Sequence, residues 1–223
     1  MVKKRALKCS TVIFDMDGVI TDTMPYHFDA WLAVFLKAGI KVNCYDIYCR
    51  EGQDGLSSVK EISREHGQRL SVAQAKELLR QKENLFKRIV RPRFIKGSRQ
   101  FINRLKERGF KLALVTGTSR HEVKKILPAG LYRIFDVTIT SSEITKAKPD
   151  PEPFLKAIKL LKIRPSRAVV IENAPFGIEA ARRAGLFCIA LQTSLPKVYL
   201  SQADIIFKSF AELERKVHFE KFN

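Results

Sequence analysis

Short apolar runs rich in β-branched residues alternate with segments of helical periodicity through most of this 223-residue chain. Such alternation predicts an α/β fold, in which crossover helices connect the strands of a parallel sheet. The predicted strands are residues 10–14, 111–115, 137–140, 168–171 and 187–191, with an edge strand at 204–207. The predicted core helices are residues 97–108, 120–127, 151–161 and 176–184.

One stretch interrupts this alternation, between Pro25 and Pro92. It contains no convincing strand pattern, whereas apolar residues recur at helical spacing over residues 28–36 and again over residues 72–89. The sequence therefore predicts an all-helical insertion between the first two strands of the sheet.

Two aspartates directly follow the first predicted strand, in the sequence Phe14-Asp15-Met16-Asp17-Gly18. Because side chains alternate along a strand, Asp15 and Asp17 project in the same direction at its carboxyl end. Open α/β sheets bind their ligands at that end. Two converging carboxylates are costly unless a positive group joins them, and a hard cation such as Mg²⁺ is a common partner. One aspartate can then act as a nucleophile while the other exchanges protons.

Three further motifs carry polar residues at or just after apolar runs. They are Val115-Thr116-Gly117-Thr118, Lys148-Pro149-Asp150-Pro151 and Val170-Ile171-Glu172-Asn173-Ala174-Pro175-Phe176-Gly177. Together with the aspartate motif, their order and spacing resemble the four motifs of the haloacid dehalogenase superfamily of phosphotransferases. The resemblance implies a Rossmann-like core formed by residues 1–23 and 93–223, and a helical cap formed by residues 24–92.

The same resemblance implies a role for most of these residues. Asp15 would be the nucleophile that forms an aspartyl-phosphate, and Asp17 the general acid and base. Lys148 would neutralise the phosphoryl group and Asp15, with Lys146 as the competing lysine two residues upstream. The residues that would bind the phosphoryl oxygens are Thr116, Gly117, Thr118 and Lys148.

The resemblance also implies a Mg²⁺ cofactor, bound by Asp15, the backbone carbonyl of Asp17 and the acidic pair of the fourth motif. Here that pair is Glu172 and Asn173, which departs from the commoner pair of acids. An amide oxygen can bind Mg²⁺ but contributes no charge. Either Glu172 takes a larger part in the coordination, or the affinity for the metal falls.

Within the superfamily, the first motif and the residues after it resemble the β-phosphoglucomutase-like subgroup. The resemblance places Thr23 at the hinge and His27 at the mouth of the site, where His27 would assist Asp17. It also makes Glu51, Gly52 and Gln53 the loop of the cap that contacts the substrate. Glu51 and Gly55 occupy positions at which the mutases carry a lysine and an arginine that bind a second phosphate. Arg50 or Gln53 could substitute for them.

These residues favour a Mg²⁺-dependent phosphatase of a small phosphorylated metabolite, such as a sugar phosphate or phosphoglycolate. Two alternatives are a β-phosphoglucomutase-like isomerase and a non-catalytic protein that binds partners through its basic surface. A dehalogenase is disfavoured because Asp17 is the acid/base that phosphotransferases need. The protein is expected to be cytoplasmic, since its four cysteines form no C-x-x-C pair and no apolar run approaches the ~20 residues that cross a membrane. It is also expected to be a monomer.

The charge of the chain is strongly positive, at +18 from 41 basic and 23 acidic residues. Many of the basic residues lie between Lys82 and Lys111. An anionic partner such as nucleic acid is one interpretation of this charge. No nucleic-acid-binding motif accompanies it, so we expect a solvated basic surface rather than nucleic-acid binding.

Overall fold

The computed structural model describes residues 4–91 and 93–222. The strands are β1 (Arg5–Lys8), β2 (Thr11–Phe14), β3 (Lys111–Val115), β4 (Val137–Ile139), β5 (Ala168–Glu172), β6 (Phe187–Leu191), β7 (Ile205–Phe207) and β8 (Val217–Glu220). The helices are α1 (Met24–Lys37), α2 (Cys44–Tyr48), α3 (Gly55–Glu65), α4 (Val72–Ile89), α5 (Ser98–Glu107), α6 (Arg120–Ile126), α7 (Ala129–Tyr132), α8 (Glu152–Leu161), α9 (Pro175–Arg183) and α10 (Phe210–Lys216). Among these helices, none combines the length and the apolar character that crossing a bilayer requires.

Six strands form a parallel sheet in the order β4-β3-β2-β5-β6-β7. The central strand β2 is fully buried, which explains why it is a continuous apolar run without polar alternation. Val12 and Phe14 belong to the apolar cluster on one face of the sheet, and Ile13 belongs to the cluster on the other face. Both faces are therefore covered, and the predicted α/β fold with a parallel sheet is confirmed.

A second, smaller sheet was not predicted from the sequence. It pairs β1 with β8 in parallel, so that Arg5 lies opposite Val217 and Lys8 opposite Glu220. Both strands are four residues long and carry charged residues, which hides their periodicity. Their pairing brings the two ends of the described chain together.

The stretch between the first two strands of the main sheet is helical, as predicted, and contains α1–α4. Its apolar residues form a separate cluster around Trp31, Phe35 and Ile62. The predicted helices lie within α1 and α4, whereas α2 and α3 were missed. We call residues 24–91 the helical segment; the predicted boundary at Pro92 lies outside the described residues, and the division into two domains stays a prediction.

The two connections between the helical segment and the sheet run side by side. Thr21 pairs with Phe94 in an antiparallel bridge, and the amide of Asp22 donates to the carbonyl of Arg93 at 2.8 Å. The amide of Ile95 donates to the carbonyl of Ile20 at 3.0 Å. The helical segment is therefore attached to the sheet through two neighbouring connections, residues 20–22 and 93–95, next to the carboxyl end of β2.

Candidate active site

Lys148 forms buried ion pairs with Asp15, which follows β2, and with Glu172, which ends β5. The Nζ atom of Lys148 lies 2.7 Å from Oδ1 of Asp15 and 2.6 Å from Oε1 of Glu172, and all three side chains are almost fully buried. Burial raises the pKa of Asp15 well above its usual value, and the charge of Lys148 opposes this shift. Burial acts to lower the pKa of Lys148, but attraction to Asp15 and Glu172 outweighs it and holds this pKa above its usual value.

The competing lysine of the sequence analysis points elsewhere. The side chain of Lys146 is 72% exposed, and its Nζ atom lies 4.0 Å from Asp150. It contacts neither aspartate of the first motif. Of the two lysines, only Lys148 contacts Asp15.

Asp17 is surrounded by hydroxyl groups. Its Oδ1 atom accepts a short hydrogen bond from Thr23, and its Oδ2 atom accepts one from Thr118 at 2.8 Å, with the hydroxyl of Thr116 at 3.5 Å. Burial favours the neutral acid, but His27, Thr23 and Thr118 favour the carboxylate, so the pKa of Asp17 lies below its usual value. The pKa values of the two aspartates are therefore shifted in opposite directions.

The two polar side chains of the fourth motif, Glu172 and Asn173, differ in their hydrogen bonding. Glu172 is fully engaged, because Oε1 binds Lys148 while Oε2 accepts from the backbone amides of Asn173 at 2.8 Å and Ala174 at 3.2 Å. Only glycine fits at position 177, because a Cβ there would overlap the carboxylate of Glu172. Asn173 is 1% exposed, and its Oδ1 atom has no hydrogen-bond partner.

The free oxygens identify where a cation would fit. Oδ2 of Asp15 and Oδ1 of Asn173 are both buried, and both lack a hydrogen-bond partner. Hard oxygen atoms of this kind suit Mg²⁺, which retains several water ligands in most protein sites. Within residues 4–91 and 93–222, no three His, Cys, Asp or Glu side chains form a cluster that could hold a metal. Among the residues of the first and fourth motifs that the structure describes, the buried side-chain oxygens without a partner are therefore Oδ2 of Asp15 and Oδ1 of Asn173.

The loop at Gly52 closes the helical segment onto the sheet. Gly52 is buried at φ 86°, and a Cβ there would lie 2.6 Å from Cδ of Lys148. A Cβ on Gly117 would in turn lie 3.3 Å from Cα of Gly52. Only glycine fits at position 52, since it tolerates a positive φ and leaves room for the lysine.

Two contacts between side chains also join the helical segment to the core. The rings of Tyr45 and Tyr199 stack with their centroids 5.2 Å apart, and Nζ of Lys87 lies 3.5 Å from Oε1 of Glu122. The helical segment is therefore closed over the carboxyl end of the sheet.

A cavity of about 120 Å³ lies under the closed segment, with Thr118 at its floor and His27, Trp31, Glu51 and Lys82 around it. Glu51 is half-buried, and burial raises its pKa while the nearby side chains of His27, Lys82 and Lys148 oppose the shift. The structure thus brings the predicted loop of the helical segment to the same cavity as the predicted phosphoryl-binding loop.

Both residues that could replace the phosphate-binding pair of the mutases form contacts within the helical segment. Arg50 donates to the carbonyl of Asp46 at 2.9 Å and forms a short ion pair with Glu65. Gln53 donates to Glu61 at 2.9 Å and accepts from Ser58 at 2.9 Å. Both side chains line the cavity; the amide of Gln53 is occupied at both ends, whereas Nε of Arg50 has no hydrogen-bond partner and lies 3.6 Å from Oε2 of Glu61.

Lys82 is a residue that the sequence analysis missed. It is 9% exposed, its Nζ atom lies 3.0 Å from Nδ1 of His27, and it lies 5.1 Å from the ring centroids of Trp31 and Phe86. Burial lowers its pKa, and Glu51 opposes that shift. A signal was present in the sequence, because Lys82 lies on the same face of α4 as the buried Ala75, Leu78 and Phe86.

The family follows from comparison with known proteins. A sequence model of haloacid dehalogenase-like hydrolases matches residues 9–185, which include every catalytic motif described above. The chain belongs to the haloacid dehalogenase-like hydrolase family. The predicted resemblance and the predicted enzyme class are thereby confirmed.

Similar members of this hydrolase family include two curated phosphatases. Validoxylamine A 7'-phosphate phosphatase of Streptomyces hygroscopicus is 29% identical over 90% of this chain and 94% of its own length. Phosphorylated carbohydrates phosphatase of Thermotoga maritima is 31% identical over 78% of this chain and 81% of its own length. The crystal structure of β-phosphoglucomutase from Clostridium difficile superposes with a TM-score of 0.78 at 25% identity, covering 93% of this chain and 96% of that one.

Proposed function

We propose that this hydrolase is a Mg²⁺-dependent phosphatase of small phosphorylated metabolites that acts through an aspartyl-phosphate on Asp15. The observation that carries the proposal is the buried contact of Asp15 with Lys148, beside Asp17, which accepts a hydrogen bond from Thr118 in the wall of a small cavity. A structural ion pair alone would need neither the second aspartate nor the cavity. The three groups together supply a nucleophile, a positive charge and a proton carrier.

The proposed reaction has two displacements at phosphorus. A carboxylate oxygen of Asp15 forms a bond to phosphorus as the bond to the alcohol oxygen breaks, and Asp17, which must be protonated for this step, gives its proton to that oxygen. Asp17 then takes a proton from water, whose oxygen attacks the phosphoryl group and releases Asp15 and inorganic phosphate. Lys148, the hydroxyl of Thr116 and the amides of Gly117 and Thr118 are proposed to hold the phosphoryl oxygens.

Asp15, the carbonyl of Asp17 and Asn173 are the proposed holders of Mg²⁺. This assignment is supported by the two buried oxygens without partners, Oδ2 of Asp15 and Oδ1 of Asn173. Glu172 is left outside the proposed ligand set because both of its oxygens are already bound. When bound, the metal neutralises charge on the phosphoryl oxygens.

The expected substrate is a phosphate monoester with a neutral, hydroxyl-rich leaving group. Two of the similar proteins are named for a phosphorylated carbohydrate and for validoxylamine A 7'-phosphate. The cavity wall carries Glu51, which would repel a second phosphate, and the charge of Arg50 is neutralised by Glu65. Hydrolysis is therefore favoured over transfer to a sugar phosphate.

A β-phosphoglucomutase-like isomerase is the second candidate. It is favoured by the contacts of Thr23 and His27 with Asp17, and by the similarity to a mutase structure at a TM-score of 0.78. A non-catalytic binding protein has less support, because the buried charges of Asp15, Lys148 and Glu172 are retained. A monomeric state and a cytoplasmic location stay expectations from the sequence.

A panel of phosphorylated metabolites, assayed for released phosphate with and without EDTA, tests the proposal. In parallel, β-glucose 1-phosphate with a bisphosphate primer is assayed for conversion to glucose 6-phosphate. Phosphate release that requires a divalent cation and Asp15 is the expected result. Efficient isomerisation by the unmodified protein would establish the second candidate instead.

A further inference from the structure

The metal-binding residue of the fourth motif is an amide in this chain, and an amide has two different ends. A carboxylate at position 173 would offer an oxygen in either orientation. Asn173 offers an oxygen in one orientation and an NH₂ group, which repels a cation, in the other. Its value as a metal ligand therefore depends on whatever fixes the direction of the amide.

Ser194 contacts one end of this amide; because a hydroxyl can donate as well as accept, this contact and a cation at the opposite end would fix the direction together. Its hydroxyl oxygen lies 3.0 Å from Nδ2 of Asn173 and accepts a hydrogen bond from it. The other end of the amide, Oδ1, is buried without a partner, as is Oδ2 of Asp15. With the NH₂ group occupied by Ser194, the amide oxygen is the end left available for a cation.

The loop that carries Ser194 is anchored to the loop that carries the two aspartates. The hydroxyl of Thr193 donates to the carbonyl of Gly18 at 2.5 Å. Gly18 has φ 83°, and a Cβ there would overlap Nδ2 of Asn173 and lie 2.8 Å from Oγ of Ser194. The loops after β2, β5 and β6 thus meet around the amide of Asn173.

We propose that Ser194 is a positioning residue that orients the amide of Asn173 so that its oxygen binds Mg²⁺. This inference rests on the proposed Mg²⁺ dependence. It assigns to this chain a device that a relative with aspartate at position 173 does not need, because both carboxylate oxygens are equivalent. The role of Ser194 should therefore exist in the asparagine protein and vanish when the amide is replaced.

The test is a double-mutant cycle read by Mg²⁺ binding. Calorimetric titration with Mg²⁺, and the rise in Tm that Mg²⁺ produces, are measured for the wild type, Ser194→Ala, Asn173→Asp and the double variant. Loss of one hydrogen bond that orients a ligand should weaken Mg²⁺ binding about threefold to tenfold in Ser194→Ala. Asn173→Asp should bind Mg²⁺ more tightly than the wild type, and adding Ser194→Ala to it should change the Kd by less than about twofold.

Ser194→Thr is the matched control, since it keeps the hydroxyl and should keep the affinity. The Tm without Mg²⁺ shows whether each variant is folded. An equal loss of affinity in the asparagine and aspartate backgrounds, or no loss in either, would overturn the inference while leaving a Mg²⁺-dependent phosphatase intact. A wild type that binds no Mg²⁺ would overturn both the inference and the metal dependence, and phosphatase activity in EDTA would then be retained.

Discussion

Lys82 and His27 form a buried contact in which Nζ of the lysine lies 3.0 Å from Nδ1 of the imidazole. While Lys82 carries its charge it can only donate, so Nδ1 then accepts and the ring proton lies on Nε2. That nitrogen faces Oδ1 of Asp17 at 3.5 Å. Lys82 therefore determines which nitrogen of His27 presents a proton to the proposed general acid, and it does so from the helical segment.

Replacing Asp15 tests the proposed nucleophile. Asp15→Asn is close to isosteric, but the amide cannot attack phosphorus, so kcat should fall by several orders of magnitude. Released phosphate is the measurement, and circular dichroism with thermal unfolding checks the fold. More than about a tenth of the wild-type activity, a change of under about 1.4 kcal/mol in the barrier, would contradict the assignment.

Removing the charge of Lys82 should disturb proton transfer more than substrate binding. Lys82→Met keeps the packing against Trp31 and Phe86 but leaves Nδ1 of His27 without its donor. We expect kcat to fall by about 10- to 100-fold with a smaller change in KM, and the pH profile of kcat to shift. Lys76→Met, at an exposed position of the same helix, is the control and should match the wild type. An unchanged pH profile would show that Lys82 only fills space.

The carboxylate of Glu143 should make stability depend on pH on the acid side. Burial raises its pKa, but hydrogen bonds from Arg120 at 2.7 Å and from the amide of Thr140 at 2.8 Å outweigh this, so the pKa lies below its usual value. The ionised form is thus favoured in the folded state, and its contribution is present above the unfolded pKa of about 4.3. It is lost as the pH falls through the lower pKa of the folded state.

Glu143→Gln should accordingly lower the Tm at pH 7, and the difference from the wild type should shrink below about pH 4. Thermal unfolding between pH 3 and pH 7 measures this. Glu107→Gln, at an exposed position, is the control. A difference in Tm that stays constant down to pH 3 would mean that the carboxylate charge is not the stabilising feature.

Restoring positive charge to the cavity should favour transfer to a sugar phosphate over transfer to water. Gly55 does not have a positive φ, so its backbone conformation accepts a side chain. A Cβ there would nevertheless overlap the side chain of Leu79. The change Glu51→Lys with Gly55→Arg therefore also needs Leu79→Ala to make room. The ratio of glucose 6-phosphate to inorganic phosphate from β-glucose 1-phosphate should rise, because an arginine can bind a second phosphate in a bidentate manner. Glu51→Gln alone is the control for loss of the negative charge, and a ratio no higher than in this control would contradict the prediction.

The sequence predicted the sheet well because its central strands are buried on both faces. Such strands, β2 and β5 among them, are continuous apolar runs that end in the polar residues of the site. Asp15, Asp17, Lys148 and Glu172 were all chosen from the sequence, and the parallel pairing of β2 with β5 brings Asp15 and Glu172 together. The resemblance to a known family then supplied an expected role for each.

Other features depend on contacts that a linear pattern does not display. The helices α2 and α3 were missed because one is five residues long and the other contains Gly55 and three serines. The β1–β8 pair joins residues about two hundred positions apart. Lys82 was overlooked because a lysine within a charged stretch is normally solvated, and only the packing of α4 on α1 buries it.

The stacked rings of Tyr45 and Tyr199 lie at an edge that solvent reaches, since the two side chains are 43% and 40% exposed. A movement of the helical segment away from the sheet would separate these two rings. An aromatic pair contributes about 0.5–1.5 kcal/mol beyond its buried area, enough to change the ratio of separated to stacked molecules about twofold to tenfold. The two tyrosines would therefore act as an optical reporter of such a movement, because the ultraviolet absorbance and emission of a tyrosine change when its ring leaves a stack.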